Sequence, residues 1–438
     1  MKLNSRKRMF YLIYLLLLVP GVWCLLPPKF QWKTLDFAWE GQARDSAIKS
    51  GAYIPENNMP AGIARWKDRL FITIPRWKKG VPASLNYIYL NSTHSPLLNP
   101  YPSWADAFLS SKACCASSNS TVVSTFRVHV DKCGRLWVVD NGVTNMAHDV
   151  KQIAPPAIFI FDLKTDKLMH RYTIKDELLR DSSVFTSIVV DITGKECKDA
   201  YAYIPDMGSN ALIVYSLKDN DAWRVENHYF HFDPHAGVYR VGGIDFYWSD
   251  GISSVALGPI KKNCRDLYFH PTSSTKQFAM STKLLKNKNV PREDIFMGVQ
   301  VIGNRGPQTQ ATACDFDLEH NVLFHTLLSK NGVSCWNVDK PFKRDNVPLI
   351  ISECTALEFP NDIKVDHEGS LWILSNRQSR FLYEAMNFTD VNFRVLSAPV
   401  ASVIQGTACE RTSAVSKAFS FMTRPRCNSE CKVNSGTT

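Results

Sequence analysis

After residue 24 the chain contains no apolar run approaching the roughly 20 residues that cross a bilayer, so no later segment reads as a membrane span. It has no long run of Lys or Arg either. The formal charge of +10 overstates its basicity, because Lys2, Arg6, Lys7 and Arg8 stand without an acid in the first 24 residues and leave +6 on the remainder. A charge this small, spread over so many residues, is not the footprint of a nucleic-acid binder, and no nucleic-acid partner is expected. Closely spaced cysteines are few: Cys114-Cys115 and Cys427 with Cys431 form no second pair at finger-like spacing, so neither a metal nor a cofactor is expected. A Ser-His-Asp order, a Walker loop and a dinucleotide fingerprint are missing from any supporting context, which removes hydrolase and nucleotide readings. Long helical periodicity is scarce as well.

What is present begins with 45% hydrophobic and 11% aromatic side chains against 21% charged ones in 438 residues, enough to bury a large core. The basic stretch Lys2 to Arg8, the apolar run Phe10 to Val19 and the Pro20-Gly21 break before Cys24 read as a signal peptide over 1–24. Cleavage there leaves 11 of the 12 cysteines, a number natural to an oxidising compartment, so disulfides are expected. Eleven is odd, which permits a free or intermolecular thiol. Sequons at Asn91, Asn119 and Asn387 are glycosylation acceptors in such a chain. The expectation is a secreted, extracellular glycoprotein with no membrane attachment after cleavage.

Short runs of Val, Ile, Tyr, Phe and Trp recur between Gly, Pro, Asn and Asp, an all-β pattern. VDKCGRLWVVDNG (130–142) and VDHEGSLWILSNR (365–377) share Val-Asp-x-x-Gly-x-Leu-Trp, where Asp opens a tight turn and Gly closes it between two strands. Weaker copies lie at 64–75, 189–206, 244–259 and 314–328, with second strands starting near Leu70, Leu136, Ala200, Ser254, Val322 and Leu371. Six such units predict four-stranded blades closed into a six-bladed β-propeller, one domain over 25–410, with a basic Cys-containing tail over 411–438. AIFIFDLKTDKL (157–168) and ALIVYSLKDNDA (211–222) supply third strands. Closure requires the chain ends to share a blade, and FQWKTLDFAWE (30–40) is expected to pair with Phe393 to Ile404.

YIPENNMPAGIARWKDRLFITIPRWKKGVPASLNYI (53–88), GRLWVVDNG, AYIPDMGSNALIVYSL, GGIDFYWSDGISSVALGP, VSCWNVDKPF and FPNDIKVDHEGSLWILSNR follow one another along the chain. In these segments the sequence resembles the insect yellow and major royal jelly protein family, from about Phe30 to Cys409. The resemblance implies a secreted six-bladed propeller. Functions in that family diverge: members are implicated in melanin pigmentation and cuticle formation, some accelerate dopachrome conversion, salivary members bind biogenic amines, and royal jelly members are nutritive or structural. It therefore implies either pigment or cuticle chemistry, with dopachrome-type tautomerisation of catechol-derived indoles if the protein is an enzyme, or a non-catalytic amine binder or structural protein.

First strands line the central channel of a propeller, so polar residues at their starts converge on one mouth, where a small catechol, indole or biogenic amine is expected. The repeat alignment puts Asn57, Asn58, Thr125, Thr186, Gly243, Thr312, Asn361 and Asp362 there. Asp362 suits a protonated amine, and Asn361, Thr125, Thr186 and Thr312 suit catechol hydroxyls; the same side chains would otherwise cap strands or hold water. Asn141 and Asp206 read as turn residues. A tautomerase also needs a base, for which His129 in a first-strand copy is the candidate. His228, His231 and His235 read as surface or packing residues, since neighbours in an extended strand alternate faces. Cys133 and Cys197 occupy comparable turns of adjacent blades and are predicted to pair, whereas for Cys335 the resemblance implies a structural position with its partner left open. PRWKKG (75–80) reads as a solvated turn with a packed Trp.

Overall fold

A computed structural model describes residues 26–107, 109 and 119–411; the segment 1–24, Cys114, Cys115, Cys427, Cys431 and the tail after Arg411 lie outside the described residues. The repeated Asp builds the hairpin it heads. In blade 2, Asp131 Oδ1 accepts from the N–H groups of Cys133 and Arg135, and Oδ2 accepts from Arg135 Nε at 2.7 Å and Trp137 Nε1 at 2.8 Å. Asp366 repeats this in blade 6, taking the N–H groups of Glu368 and Ser370 and, at 2.7 Å, Trp372 Nε1. Gly134 and Gly369 close the two turns at φ 74°, a conformation that costs glycine little. One carboxylate thus fixes the turn and the buried tryptophan of the next strand together.

Six four-stranded antiparallel sheets result, with inner strands Gly62–Trp66, Val128–Val130, Val189–Asp191, Ile252–Leu257, Cys314–Asp317 and Phe359–Val365, numbered as blades 1 to 6. Each inner strand touches its two neighbours, so the ring closes. The protein is a six-bladed β-propeller. Pro28–Trp32 supplies the outer strand of blade 6 by pairing with Phe393–Pro399, Trp32 opposite Phe393, which joins the chain ends as the sequence predicts. Beyond Trp32 the leader leaves the sheet, and Phe37 bridges to Leu98 of blade 1 instead.

Both faces of a blade are covered by neighbouring blades, which is why its strands are continuously apolar. Leu136 and Val138 pack with Phe71 and Leu85 of blade 1, while the alternate residues Trp137 and Val139 pack with Ala202 and Ile204 of blade 3. Cys133–Cys197 clips the turns of blades 2 and 3, and Cys335–Cys409 ties blade 5 to the segment after blade 6. Loops of 64 and 74 residues are closed, each restricting the unfolded chain by about 4 kcal/mol. Cys354 is also disulfide-bonded, and among the described residues Cys264 and Cys314 are free.

The fourth repeat is displaced. Ser254 lies in the inner strand of blade 4, whose second strand is Asp266–Pro271. The segment 244–247 belongs to a separate hairpin, Val238–Val241 with Ile244–Tyr247, paired across a Gly242-Gly243 tip. Both tip glycines have positive φ, 62° and 87°, as a two-residue hairpin turn of this kind demands. Gly243 is therefore an exposed tip residue and not a strand start.

Between blades 4 and 5 lie two buried imidazoles, His270 and His325, with ring centroids 5.5 Å apart. His270 Nε2 meets Ala311 O at 3.2 Å, and His325 Nε2 meets Gln277 Oε1 at 2.8 Å, an oxygen that also accepts from Arg305. Both Nδ1 atoms are buried without a partner. Burial, and then the charge of Arg305, push both far below the ordinary imidazole value. They stay neutral in the fold, whereas the unfolded chain takes up both protons below about pH 6.5. Their stabilisation is thus complete above that pH and is lost as pH falls, by up to about 2.7 kcal/mol per pH unit for two protons. Chemical denaturation between pH 7.5 and 5 should show this decline, and His325→Gln should reduce its slope; equal stability at both ends of the range would contradict the assignment.

Candidate functional site at the strand-start end

Inner strands all begin at one end of the propeller, and of the residues predicted there Thr125, Thr186, Thr312, Asn361 and Asp362 come to that end. A continuous belt of side-chain hydrogen bonds joins the blades. Thr73 Oγ1 of blade 1 donates to Phe126 O ahead of blade 2, and Asn141 Nδ2 of blade 2 donates to Phe185 O ahead of blade 3 at 2.9 Å. Thr186 Oγ1 donates to Ser253 O of blade 4 at 2.8 Å, and Ser253 Oγ donates to Thr312 O ahead of blade 5 at 2.8 Å. Thr312 Oγ1 donates to Pro360 O of blade 6 and Asn361 Nδ2 donates to Ala61 O ahead of blade 1, both at 3.0 Å, completing the circuit.

Arg127 braces the circuit across its middle. Its Nη1 donates to Ser253 O at 3.1 Å, its Nη2 to Asn361 O at 2.7 Å, and its Nε lies 3.3 Å from Asp362 Oδ1. Asp362, fully buried, also accepts from the N–H groups of Ile63 and Ile363 at 2.9 Å and has Lys364 Nζ at 4.0 Å. Thr125 belongs to the same layer; its N–H donates to Ser84 Oγ, and its buried hydroxyl has no partner. Asn58 and Asn57 stand apart, knitting the loop before blade 1 through Ile54 O, Gly80 O and Lys79 O. Asn141, read as a turn residue, proves to be a link between blades: its Oδ1 accepts from Phe185 N–H as well. Asp206 holds the Val184 N–H and pairs with Arg224 at 2.9 Å.

His129 follows Arg127 by two residues and shares its side of the strand. Burial first, then the charges of Lys364 and His367 of blade 6, push its pKa down to about 3, so the imidazole is neutral at physiological pH. It keeps part of its surface accessible. His228, His231 and His235 lie in or beside two short 3₁₀ turns rather than a strand. His228 stacks on Phe296 with centroids 5.3 Å apart, and His235 is exposed, in line with packing and surface roles. Arg76 of PRWKKG is not solvated: it is buried and donates to the carbonyls of Val81, Val122, Val123, Pro82 and Ala107. Trp77 packs edge-on against Phe126.

Over this end lies the hairpin 238–247, a strap from blade 4 across blade 5 to blade 6. Tyr239 OH donates to Thr272 O of blade 4, Gln310 Nε2 of blade 5 donates to Ala236 O and Val238 O, and Arg380 Nη2 beyond blade 6 donates to Gly242 O at 2.7 Å. Arg380 is itself paired with Glu358 at 2.6 Å, and Glu358 fills the space a side chain at Gly242 would need. Tyr239, Phe246 and Trp248 form an aromatic row joined by Tyr383 and Phe359, with centroids 4.7 to 6.0 Å apart. No chemical motif marks Arg127, Ser253, Lys364 or the strap as site residues. For Arg127 the one sequence signal is the polar pair Arg127 and His129 on one face of an otherwise apolar strand.

The belt makes a direct prediction. Asp362→Ala leaves the Arg127 guanidinium buried without a counter-charge and should lower unfolding free energy by about 3–5 kcal/mol, whereas Asn361→Ala, which leaves Ala61 O unpaired, should cost about 1–3 kcal/mol. Denaturation midpoints of the two variants check the order; an Asp362→Ala variant as stable as the wild type would contradict the brace.

Comparison with known proteins places this geometry in a family. Residues 123–409 match the family model described as major royal jelly protein. The chain is 37% identical over 407 residues to Protein yellow of Drosophila melanogaster, covering 91% of this chain and 74% of that one. It is 35% identical over 406 residues to L-dopachrome tautomerase yellow-f of Drosophila melanogaster, covering 87% of this chain and 93% of that one. With Dopaminechrome tautomerase of the same species it shares 36% identity over 390 residues, 87% of this chain and 83% of that one. Matching that family model over more than half its length and Protein yellow over nearly all of it, the chain belongs to the yellow and major royal jelly protein family.

Proposed function

We propose that this protein is secreted and acts in extracellular melanin or cuticle chemistry, isomerising dopachrome-type products of catechol oxidation. The observation that carries the reading is the 35% identity to an L-dopachrome tautomerase along 93% of that protein's length. A second tautomerase, named for dopaminechrome, matches to the same degree. Secretion is supported by the leader over 1–24, by the disulfides, and by Asn91, Asn119 and Asn387, all exposed as glycan acceptors must be. Among the described residues no helix is long and apolar enough to cross a membrane.

The substrate seat in this reading is the strand-start end. Asn361, Asp362, Thr186 and Thr312 are held by the belt and form a rigid floor, and Thr125, fully buried, belongs to the same layer. The aromatic row of the strap offers flat faces to a planar bicyclic quinone. His129 is the candidate base of the inner strand, unprotonated at working pH; its depressed pKa makes it a weak one.

Purified mature protein should accelerate the loss of dopachrome absorbance saturably over the heat-treated protein and over buffer. Absence of acceleration from folded protein, with saturable binding of dopamine or serotonin, would replace the enzyme by a non-catalytic amine binder. Absence of both would leave a structural secreted protein.

A further inference from the structure

We propose that Asp250 is the proton acceptor of this site, acting at the foot of the aromatic strap just ahead of blade 4. This rests on the isomerase reading above and names the group that reading still needs.

At the strand-start end the buried carboxylates of the blades are committed. Asp140 accepts from the N–H groups of Val123, Ser124 and Gly142. Asp206 holds Val184 N–H, Ser183 and Arg224; Glu358 lies between Arg377 and Arg380; Asp362 is locked by Arg127. Asp250 differs. Its backbone is pinned on both sides, its N–H donating to Ser273 Oγ at 3.2 Å and its carbonyl accepting from Ser273 N–H at 3.1 Å. Its carboxylate has no hydrogen bond and no ion pair among the described residues, although the residue is only partly exposed. The next residue is Gly251, where a Cβ would stand 2.8 Å from Phe230 O, so the backbone carrying Asp250 is pressed against the preceding loop and cannot drift.

A carboxylate without partners in a half-buried place is costly unless it has a use. Asp250 ends the segment that carries the strap's aromatic rings: Trp248 stands two residues before it, and Tyr239, joined to the same Ser273 Oγ at 2.9 Å, is its titratable neighbour. Phe246 and Trp248 are partly exposed, and Tyr383, stacked on Phe246 at 5.3 Å, is 48% exposed. A planar indoline-quinone can therefore lie against aromatic faces with an accepting oxygen at hand. Burial pushes the Asp250 carboxyl up to about 6, close to neutrality, where a general base accepts and returns a proton most effectively. Tyr239 stays protonated, its own pKa raised by burial.

In the step assigned to it, the C2–H bond of the saturated ring, which is alpha to the carboxyl in L-dopachrome and has its counterpart in the carboxyl-free dopaminechrome, breaks and its proton passes to an Asp250 carboxylate oxygen. The electron pair enters the conjugated ring, one quinone oxygen takes a proton from solvent, and Asp250 returns its own proton to solvent. Loss of one C3 proton to solvent and protonation of the second quinone oxygen complete the dihydroxyindole, so two C–H bonds are exchanged for two O–H bonds. The substrate is isomerised, with no external oxidant or reductant.

The test is Asp250→Asn in the full mature protein, with L-dopachrome and dopaminechrome as probes, alongside the wild-type pH profile. The expected result is a loss of at least about 100-fold in kcat/KM, the scale of removing a general base, with circular dichroism and melting unchanged. The wild-type profile should show an acidic limb near pH 6 that Asp250→Glu shifts and Asp250→Asn abolishes. An active wild type with Asp250→Asn within threefold of it, or a wild type without that limb, overturns the assignment of Asp250 alone. A folded wild type inactive on both probes overturns the isomerase reading and this inference with it.

Discussion

The structure depends on how six sheets, whose strands pair only within each blade among the described residues, are held to one axis. Apolar side chains between blades give cohesion without direction, since burial is proportional to area and indifferent to register. Register comes from the belt at the strand-start end, where a Thr, Ser or Asn side chain of one blade meets a backbone carbonyl of the next, and from Arg127, which ties blade 2 to blades 4 and 6. Because Arg127 is buried, its charge must be matched, and Asp362 matches it while also holding Ile63 of blade 1. Two charges and a circuit of neutral hydrogen bonds fix the relative position of all six blades.

That arrangement bears on where chemistry takes place. Groups that stitch the blades are rigid and saturated, which suits them to a floor and makes them poor movers of protons. The strap is of a different kind: it is fastened at a few points, its outer residues Val238 and Tyr247 are 70% and 57% exposed, and its aromatic row faces no sheet of its own. The free carboxylate of Asp250 occurs where the strap rejoins the blades. Rigid scaffold and reactive margin are thus adjacent along the chain, as in many folds whose sites are grafted on loops.

Much of the fold was legible because its hairpins are written locally. Asp131 and Asp366 bond residues within six positions of themselves, so a short motif records the whole device. Blade 4 breaks the pattern: its inner turn runs through Pro259 and the left-handed residues Lys262 and Asn263, with no Asp-x-x-Gly. The nearest Asp-Gly, Asp250-Gly251, drew the alignment onto the strap. The belt was legible as to place, since Thr186, Thr312 and Asn361 do lie at or just ahead of inner-strand starts, but not as to partner: Asn361 and Ala61 are 300 positions apart, and a hydrogen bond between them leaves no periodic trace. Arg127 was illegible for a related reason, being one basic residue between Phe126 and Val128 whose partners all lie in other blades.

The central claim is that ligand chemistry belongs to the aromatic row of the strap and its foot at Asp250 while the belt stays intact. A crystal structure with 5,6-dihydroxyindole-2-carboxylate, a stable planar indole of the proposed product class, tests it most directly. The account predicts the ring against Trp248 and Phe246 within hydrogen-bonding reach of Asp250, with the Thr312–Pro360 and Asn361–Ala61 bonds unbroken. A ligand seated on the axis that displaces those bonds, or one bound away from the strap altogether, would contradict it.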